Sequence, residues 1–126
     1  MNKENKLVPG LPSGFEDRWD KKLLLKKKLL KAIENNFIKF GAEALETPSF
    51  EISENIGSFL AEDEANPMSD VFSFQDGDKS ITLRYDLSSP LARFVAQNNQ
   101  ELPSIFKRYQ IQNVFRNEKS GNGRYR

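Results

Sequence analysis

The 126-residue chain contains no cysteine and no histidine. Disulfides, thiolate nucleophiles, imidazole bases, Ser-His-Asp triads and metal sites built on thiolate or imidazole are therefore excluded. Any chemistry has to run on carboxylates, Arg, Lys and backbone groups. No apolar run is long enough to span a bilayer, and the opening residues MNKENKLVPG lack the apolar stretch of a secretion signal, so a cytoplasmic protein without membrane contact is expected. Positive charge is also missing over a long stretch, since residues 40–78 hold no Lys or Arg. Glu43, Glu46, Glu51, Glu54, Glu62, Asp63 and Glu64 lie in that stretch, while Lys21, Lys22, Lys26, Lys27, Lys28 and Lys31 precede it and Lys107, Arg108, Arg116, Lys119, Arg124 and Arg126 follow it. A polyanion would favour the flanks. The early Lys-rich face reads first as solvated helix surface. The late cluster differs because Phe, Tyr and Gly are interleaved with it. A general RNA-binding module would be basic throughout, which the acidic middle argues against.

What is present suits one modest globular core, with 37% hydrophobic and 29% charged residues and a mean hydropathy of -0.66. Asp20 is placed to cap a helix over residues 20–40, whose apolar stripe is Leu23, Leu30, Ile33, Phe37 and Phe40. Gly41 reads as its terminator, and AEALE as a short strand ended by Pro48. FEISENIGSFLA reads as a short helix. VFSF, the turn DGDK and SITLRYD read as a hairpin of two antiparallel strands. In LSSPLARFVAQNN, Ser88 or Ser89 is the candidate cap, with Pro90 in the first turn. SIFKRYQIQNVFRNE is a long β-prone run, and KSGNG a reversal before GRYR turns back. The expected fold is α+β, an antiparallel sheet with flanking helices and the first helix packed on the sheet by its stripe. A hairpin strand cut at its start leaves its partner without hydrogen bonds, so the natural domain is expected to continue past Arg126.

The residues FRNEKSGNGRYR carry the chemistry. Arg116 and Glu118 are two apart on a strand and share a face, and the turn brings Arg124 and Arg126 back on the partner strand. Guanidinium forks bind phosphate or carboxylate oxygens, each charge-assisted bond being worth about 1.5 to 3 kcal/mol where water is excluded. An anion site and a surface hairpin with cross-strand ion pairs are both open on this chemistry. Tyr125, between its Arg neighbours, is expected to point to the core. Lys119 and Asn122 read equally as contacts to a nucleic acid and as a solvated loop tip. Asp86, between a strand and the Ser-Pro helix start, reads on its own as a cap or turn residue.

FRNEKSGNGRYR resembles motif 2 of class II aminoacyl-tRNA synthetases: an Arg, a Glu two later, a variable loop and a returning Arg-bearing strand. GRYR is similar to the histidyl form, LRYDLSSPLARFVA to the histidyl segment that holds the amino acid, and the helix through ETPSFE to motif 1, whose strand lies in a dimer interface. PSGFEDR, VFSFQD and VFRNEKSGNGRYR most resemble alphaproteobacterial histidyl-tRNA synthetases. The resemblance covers residues 11–126, after a 1–10 extension, and implies the N-terminal portion of an incomplete class II catalytic domain. It further implies ATP as a substrate with Mg2+ and no protein-ligated metal, histidine and histidine tRNA as the other substrates, and a homodimer. By resemblance Arg116 clamps the α-phosphate and the substrate carboxylate, Arg124 meets the distal phosphates, and Glu118 accepts from adenine or orients the loop. Asp86 meets the α-ammonium of histidine, with Leu87 and Ser88 completing that wall, Ser88 standing where Thr is frequent. The third motif, a second histidine-recognition segment and an anticodon-binding domain are not in these residues, so the chain alone is expected to be inactive. The alternative within the fold is the regulatory subunit of ATP phosphoribosyltransferase, whose members tend to lose the motif 2 residues retained here.

Overall fold

The computed structural model describes residues 7–56 and 70–126. Its elements are α1 (Asp20–Lys39), β1 (Glu43–Ala44), β2 (Phe50–Ile52), α2 (Ser53–Ile56), β3 (Ser73–Asp76), β4 (Lys79–Leu83), α3 (Ser88–Asn98) and β5 (Arg108–Tyr109). Three strands make an antiparallel sheet in the order β2-β4-β3, and β1 pairs with β5 in parallel. The expected α+β architecture with an antiparallel sheet is therefore present. Residues 57–61 of the FEISENIGSFLA segment and the acidic Glu62, Asp63 and Glu64 lie outside the described residues. The described part of that segment divides into β2 and α2, where a helix alone was expected.

Helix α1 ends as its sequence predicts. The Gly41 amide donates to Ile38 O at 3.0 Å and the Ala42 amide to Phe37 O at 3.1 Å, the pair of bonds that closes a Schellman motif. Gly41 has φ 74, the left-handed conformation that this position requires and that a Cβ disfavours. Its start differs from expectation: Trp19 occupies the cap position without a side-chain bond, and Asp20 is the first helical residue with φ 57.

The apolar stripe of α1 also departs from expectation, for no residue of the helix is buried. Ile33 and Phe37 keep 40% and 44% of their surface exposed, and Phe40 keeps 78%. The helix is held near its C-terminal end, where Phe37 stacks on Tyr109 at 5.8 Å and Glu34 Oε1 accepts from the Tyr109 hydroxyl at 3.1 Å. The reason lies in what it meets. The β1–β5 pair is two residues deep and offers one buried ring, Tyr109, too little apolar surface to cover a 20-residue stripe.

Strand alternation explains the rest of the packing. In the sheet, Phe50 pairs with Leu83, Ile52 with Ile81 and Phe74 with Ile81, which puts these apolar side chains on one face. Phe50 and Phe74 meet edge to face at 5.4 Å there, yet both stay largely exposed. The opposite face is polar, with Glu51 and Thr82 buried and the β3 residues exposed. Glu51, 5% exposed, receives a two-pronged ion pair from Arg93 of α3, Nε to Oε2 at 2.7 Å and NH2 to Oε1 at 2.9 Å. Beside it the Ser53 hydroxyl bonds those of Thr82 at 2.6 Å and Ser80 at 2.9 Å. These bonds satisfy groups that would otherwise be costly to bury.

Candidate functional site

The site begins at Arg84, just past the end of β4. Its guanidinium is buried, with Nε donating to Asn113 O at 2.6 Å and NH1 to Thr47 O at 2.8 Å. Burial pulls its pKa below the ordinary value, with Glu51 and Glu46 acting the other way. Its backbone is tied on both sides, the amide to Ser49 O at 3.0 Å and the carbonyl to the Phe115 amide at 3.0 Å. Asn117 N continues the second line of bonds to Asp70 O at 2.8 Å. The extended chain around 113–117 is thereby laid alongside residue 84, although only Arg108–Tyr109 of the β-prone run forms a strand.

Because side chains alternate, Tyr85 faces away from the buried Arg84 guanidinium. There it meets both Arg116 and Glu118. The Arg116 Cζ stands 4.4 Å from the Tyr85 ring centroid and its Nε points to Tyr85 O at 3.5 Å. The Tyr85 hydroxyl donates to Glu118 Oε1 at 2.6 Å. That bond to a carboxylate, and then burial, raise the phenol pKa, while the Arg116 charge lowers it. Arg116 and Glu118 thus share a face as their spacing predicts. Tyr85, the residue that joins them, was not singled out in the sequence reading. Its signal was its place in LRYD, an aromatic ring one step from a proposed ligand-binding acid.

Asp86 Oδ1 accepts from the Ser89 amide at 3.0 Å, which caps α3 from one residue upstream of Leu87, the cap position. Neither Ser88 nor Ser89 caps by its side chain; a carboxylate one step earlier reaches the orphan amide instead. Leu87 O accepts from Arg108 NH2 at 3.2 Å, and Ser88 is exposed. Pro90 is buried in the first turn, as placed from sequence.

The returning arginines do not all converge on Arg116. The turn closes tightly as a bridge between Gly121 and Arg124, with the Arg124 amide on Gly121 O at 2.9 Å, and the Arg124 side chain is exposed. Among the described residues no ion pair or hydrogen bond joins it to Glu118. Arg126 ties the N-terminal segment to the hairpin and the sheet: its amide donates to Gly14 O at 2.8 Å, its guanidinium to Asn117 Oδ1, and its Cζ lies 4.9 Å over the Phe72 ring. A Cβ on Gly14 would come within 2.5 Å of Arg126 Cγ, so this approach needs glycine. Tyr125, expected in the core, is 56% exposed with Arg18 Cζ 5.9 Å from its ring centroid. The short turn leaves no partner strand to turn that ring inward. A cleft of about 320 Å³ between the two segments is lined by Arg18, Arg116, Arg126, Phe15 and Tyr125 among others.

Among the described residues no group of three or more Asp or Glu side chains is placed to hold a metal ion, and no helix is long and apolar enough to cross a membrane. The arrangement offers the exposed guanidinium of Arg116, a carboxylate pinned beside it, and a second carboxylate at a helix start.

Residues 16–124 match the family model of the tRNA synthetases class II core domain (F), and the chain belongs to that family. Over its whole length it is 80% identical to the histidine-tRNA ligase of Pelagibacter ubique (strain HTCC1062), of which it spans 27%. Over 92% of its length it is 47% identical to the histidine-tRNA ligase of Methylocella silvestris, of which it spans 23%. The chain thus spans about a quarter of the curated relatives it matches. A crystal structure of histidyl-tRNA synthetase from Nostoc sp. PCC 7120 superposes with a TM-score of 0.72 at 27% identity, covering 86% of this chain and 25% of that one. A Bacillus halodurans structure described as an ATP phosphoribosyltransferase regulatory subunit/histidyl-tRNA synthetase superposes at 0.76 over 90% of this chain and 29% of that one, at 23% identity, a likeness of fold alone.

Proposed function

We propose that the protein carrying this chain is a histidine-tRNA ligase, which condenses histidine with ATP to histidyl-adenylate and pyrophosphate and passes the acyl group to histidine tRNA. The observation that supports this most is the seating of Arg116 and Glu118 on Tyr85, next to Asp86. In this reading Arg116 is the phosphate-binding fork and Asp86 the acceptor for an α-ammonium, contributed by two segments distant in sequence. The 80% identity to a histidine-tRNA ligase supports the choice of amino acid.

The chemistry needs no side-chain nucleophile, which suits a chain without Cys or His. An oxygen of the histidine carboxylate attacks the α-phosphorus of ATP, the bond to the β-phosphate oxygen breaks, and pyrophosphate leaves. The protein's work is to align two anions and stabilise the charge that develops between them. In this reading Arg116 clamps the α-phosphate and the substrate carboxylate, and Arg124, exposed at the turn, meets the distal phosphates. Glu118 keeps Oε2 for the adenine amino group while Oε1 is held by Tyr85. Asp86 keeps one oxygen for the α-ammonium of histidine while the other caps α3, and Leu87 and Ser88 form the adjoining wall. Mg2+ enters with ATP on its phosphates. Residues 11–126 are the N-terminal portion of the catalytic domain behind a 1–10 extension. The uncovered stripe of α1 and the apolar face of Phe50, Ile52 and Phe74 support a homodimer. The compartment is the cytoplasm.

Histidine-dependent exchange of pyrophosphate into ATP, run on the full-length protein with each amino acid in turn, tests the reading. Exchange with histidine alone is the expected result. Histidine binding without exchange would transfer the protein to the regulatory-subunit branch of the fold.

A further inference from the structure

Tyr85 touches both charged groups of the candidate site, and neither the sequence motifs nor the proposed chemistry gives it a task. Its backbone is held between two segments, since the preceding residue bonds Ser49 O on one side and the Phe115 amide on the other. The Arg84 side chain is committed to Asn113 and Thr47. The ring therefore projects from a fixed base. Arg116 and Glu118 sit two apart on one face of extended backbone, close enough for their opposite charges to pair directly. They do not. The guanidinium lies over the ring at 4.4 Å, and the carboxylate is drawn to the hydroxyl at 2.6 Å.

We propose that Tyr85 is a positioning residue that keeps the Arg116 guanidinium and the Glu118 carboxylate apart and aims each at a different part of ATP, the guanidinium at phosphate and the carboxylate at the adenine amino group. This rests on the histidine-tRNA ligase reading above. An Arg116–Glu118 ion pair would compete with phosphate for the same fork. The ring gives the guanidinium a face to stack on, and of its donors Nε alone turns to Tyr85 O, the terminal amino groups pointing outward from the plane's edge. The hydroxyl uses one oxygen of Glu118 and leaves the other open. Tyr85→Phe removes the hydroxyl's hold and keeps the shelf. Tyr85→Leu removes both.

The test is steady-state pyrophosphate exchange by the full-length protein, with thermal midpoints measured on every variant. Tyr85→Phe is expected to raise the KM for ATP about tenfold, the scale of one hydrogen bond to a charged group, with the KM for histidine within twofold of wild type. Tyr85→Leu is expected to lower kcat about tenfold as well, because the fork is no longer aimed. In a Glu118→Gln background Tyr85→Phe should change the KM for ATP by less than twofold, since the group through which the hydroxyl acts has lost its charge. A packing role moves the midpoint and leaves this split untouched. The proposal is overturned if Tyr85→Phe leaves the KM for ATP unchanged, if histidine and ATP constants rise together, or if the loss is as large in the Glu118→Gln background. A second readout does not depend on catalysis: the Arg116 guanidinium resonances, whose Cζ lies 4.4 Å from the ring centroid, should sit upfield in wild type and return downfield in Tyr85→Leu. Absence of exchange in wild type with the upfield resonance present rejects the ligase reading and retains the arrangement; an unshifted resonance rejects the arrangement.

Discussion

Arg84 and Asn113 are joined by a guanidinium-to-carbonyl bond of 2.6 Å in the buried part of the chain, and the same guanidinium holds Thr47 O at 2.8 Å. One side chain thereby ties the turn after β1 to the extended segment before Arg116. Arg84→Met fills similar volume, removes the donor to Asn113 O and leaves Thr47 O with Gln112 Nε2 alone, at 3.2 Å. The expected loss is about 1 to 3 kcal/mol of stability, from one acceptor left without its donor and a second left with one in place of two. Urea unfolding of wild type and variant side by side measures it, and coincident midpoints would show that the carbonyls find other donors.

Arg116→Ala in the full-length protein should remove adenylate formation with the fold retained. Losing one preorganised donor to a developing oxyanion costs about 2.7 to 4 kcal/mol, or roughly a hundredfold to a thousandfold in rate. Arg116→Lys should recover little, because an ammonium reproduces neither the fork nor the flat stack on Tyr85. Pyrophosphate exchange at the wild-type rate by either variant would take Arg116 out of the mechanism.

Asp86 has two tasks to separate, a cap on Ser89 N that is seen and a histidine contact that is proposed. Asp86→Asn keeps an acceptor for the amide and removes the charge. The thermal midpoint should hardly move, while the KM for histidine rises by tens to hundreds of times, the equivalent of about 1.5 to 3 kcal/mol. Asp86→Ala should lose the cap as well, a further cost of about 1 kcal/mol in stability. A histidine constant unmoved in Asp86→Asn would leave the residue as a cap alone.

Arg93→Leu strands the Glu51 carboxylate on the buried face of the sheet. The cost should be about 3 to 5 kcal/mol, and the joint replacement Glu51→Leu with Arg93→Leu should restore most of it, because the penalty comes from the unpaired charge. Equal losses in the single and double variants, read by thermal unfolding, would show that packing and not the pairing is at stake.

Much of this structure was legible in order along the chain. Gly41, Pro90 and the DGD turn set local geometry through neighbours, so α1's end, α3's start and the β3–β4 hairpin follow from a few residues each. What escaped depends on partners distant in sequence. The β1–β5 pairing, the turn of Arg126 toward Gly14, and Tyr85's place between Arg116 and Glu118 arise from the register of segments that no local pattern relates. Asp86 was read both as cap and as ligand because its chemistry serves either. The stripe on α1 was legible as apolar, but its spacing says nothing of what covers it.

The Tyr85 phenol offers a pH test. Glu118 accepting its proton raises the pKa in the folded chain, so the folded state holds that proton more tightly than the unfolded one. Its contribution to stability is complete below the ordinary phenol value and is lost as pH climbs through the raised folded value. Glu118→Gln should bring the Tyr85 ionisation down. Alkaline titration followed by the Cζ chemical shift of labelled tyrosine would show it, and an unmoved midpoint would assign the shift to burial.

The parallel pairing of Glu43 with Arg108 has a consequence for the order in which the chain assembles. The β3–β4 hairpin closes across Gly77 and Asp78 and forms on the scale of about 1 to 10 μs, whereas β1 finds β5 only after the whole intervening chain has been gathered in. Tyr109 of β5 carries the stack and the hydroxyl that fasten α1. Helix α1, the longest among the described residues, thus waits on a long-range pairing to be moored. In pulse-labelled hydrogen exchange, the amides of Glu43 and Leu45, which bond Lys107 O and Tyr109 O, would gain protection after the hairpin's.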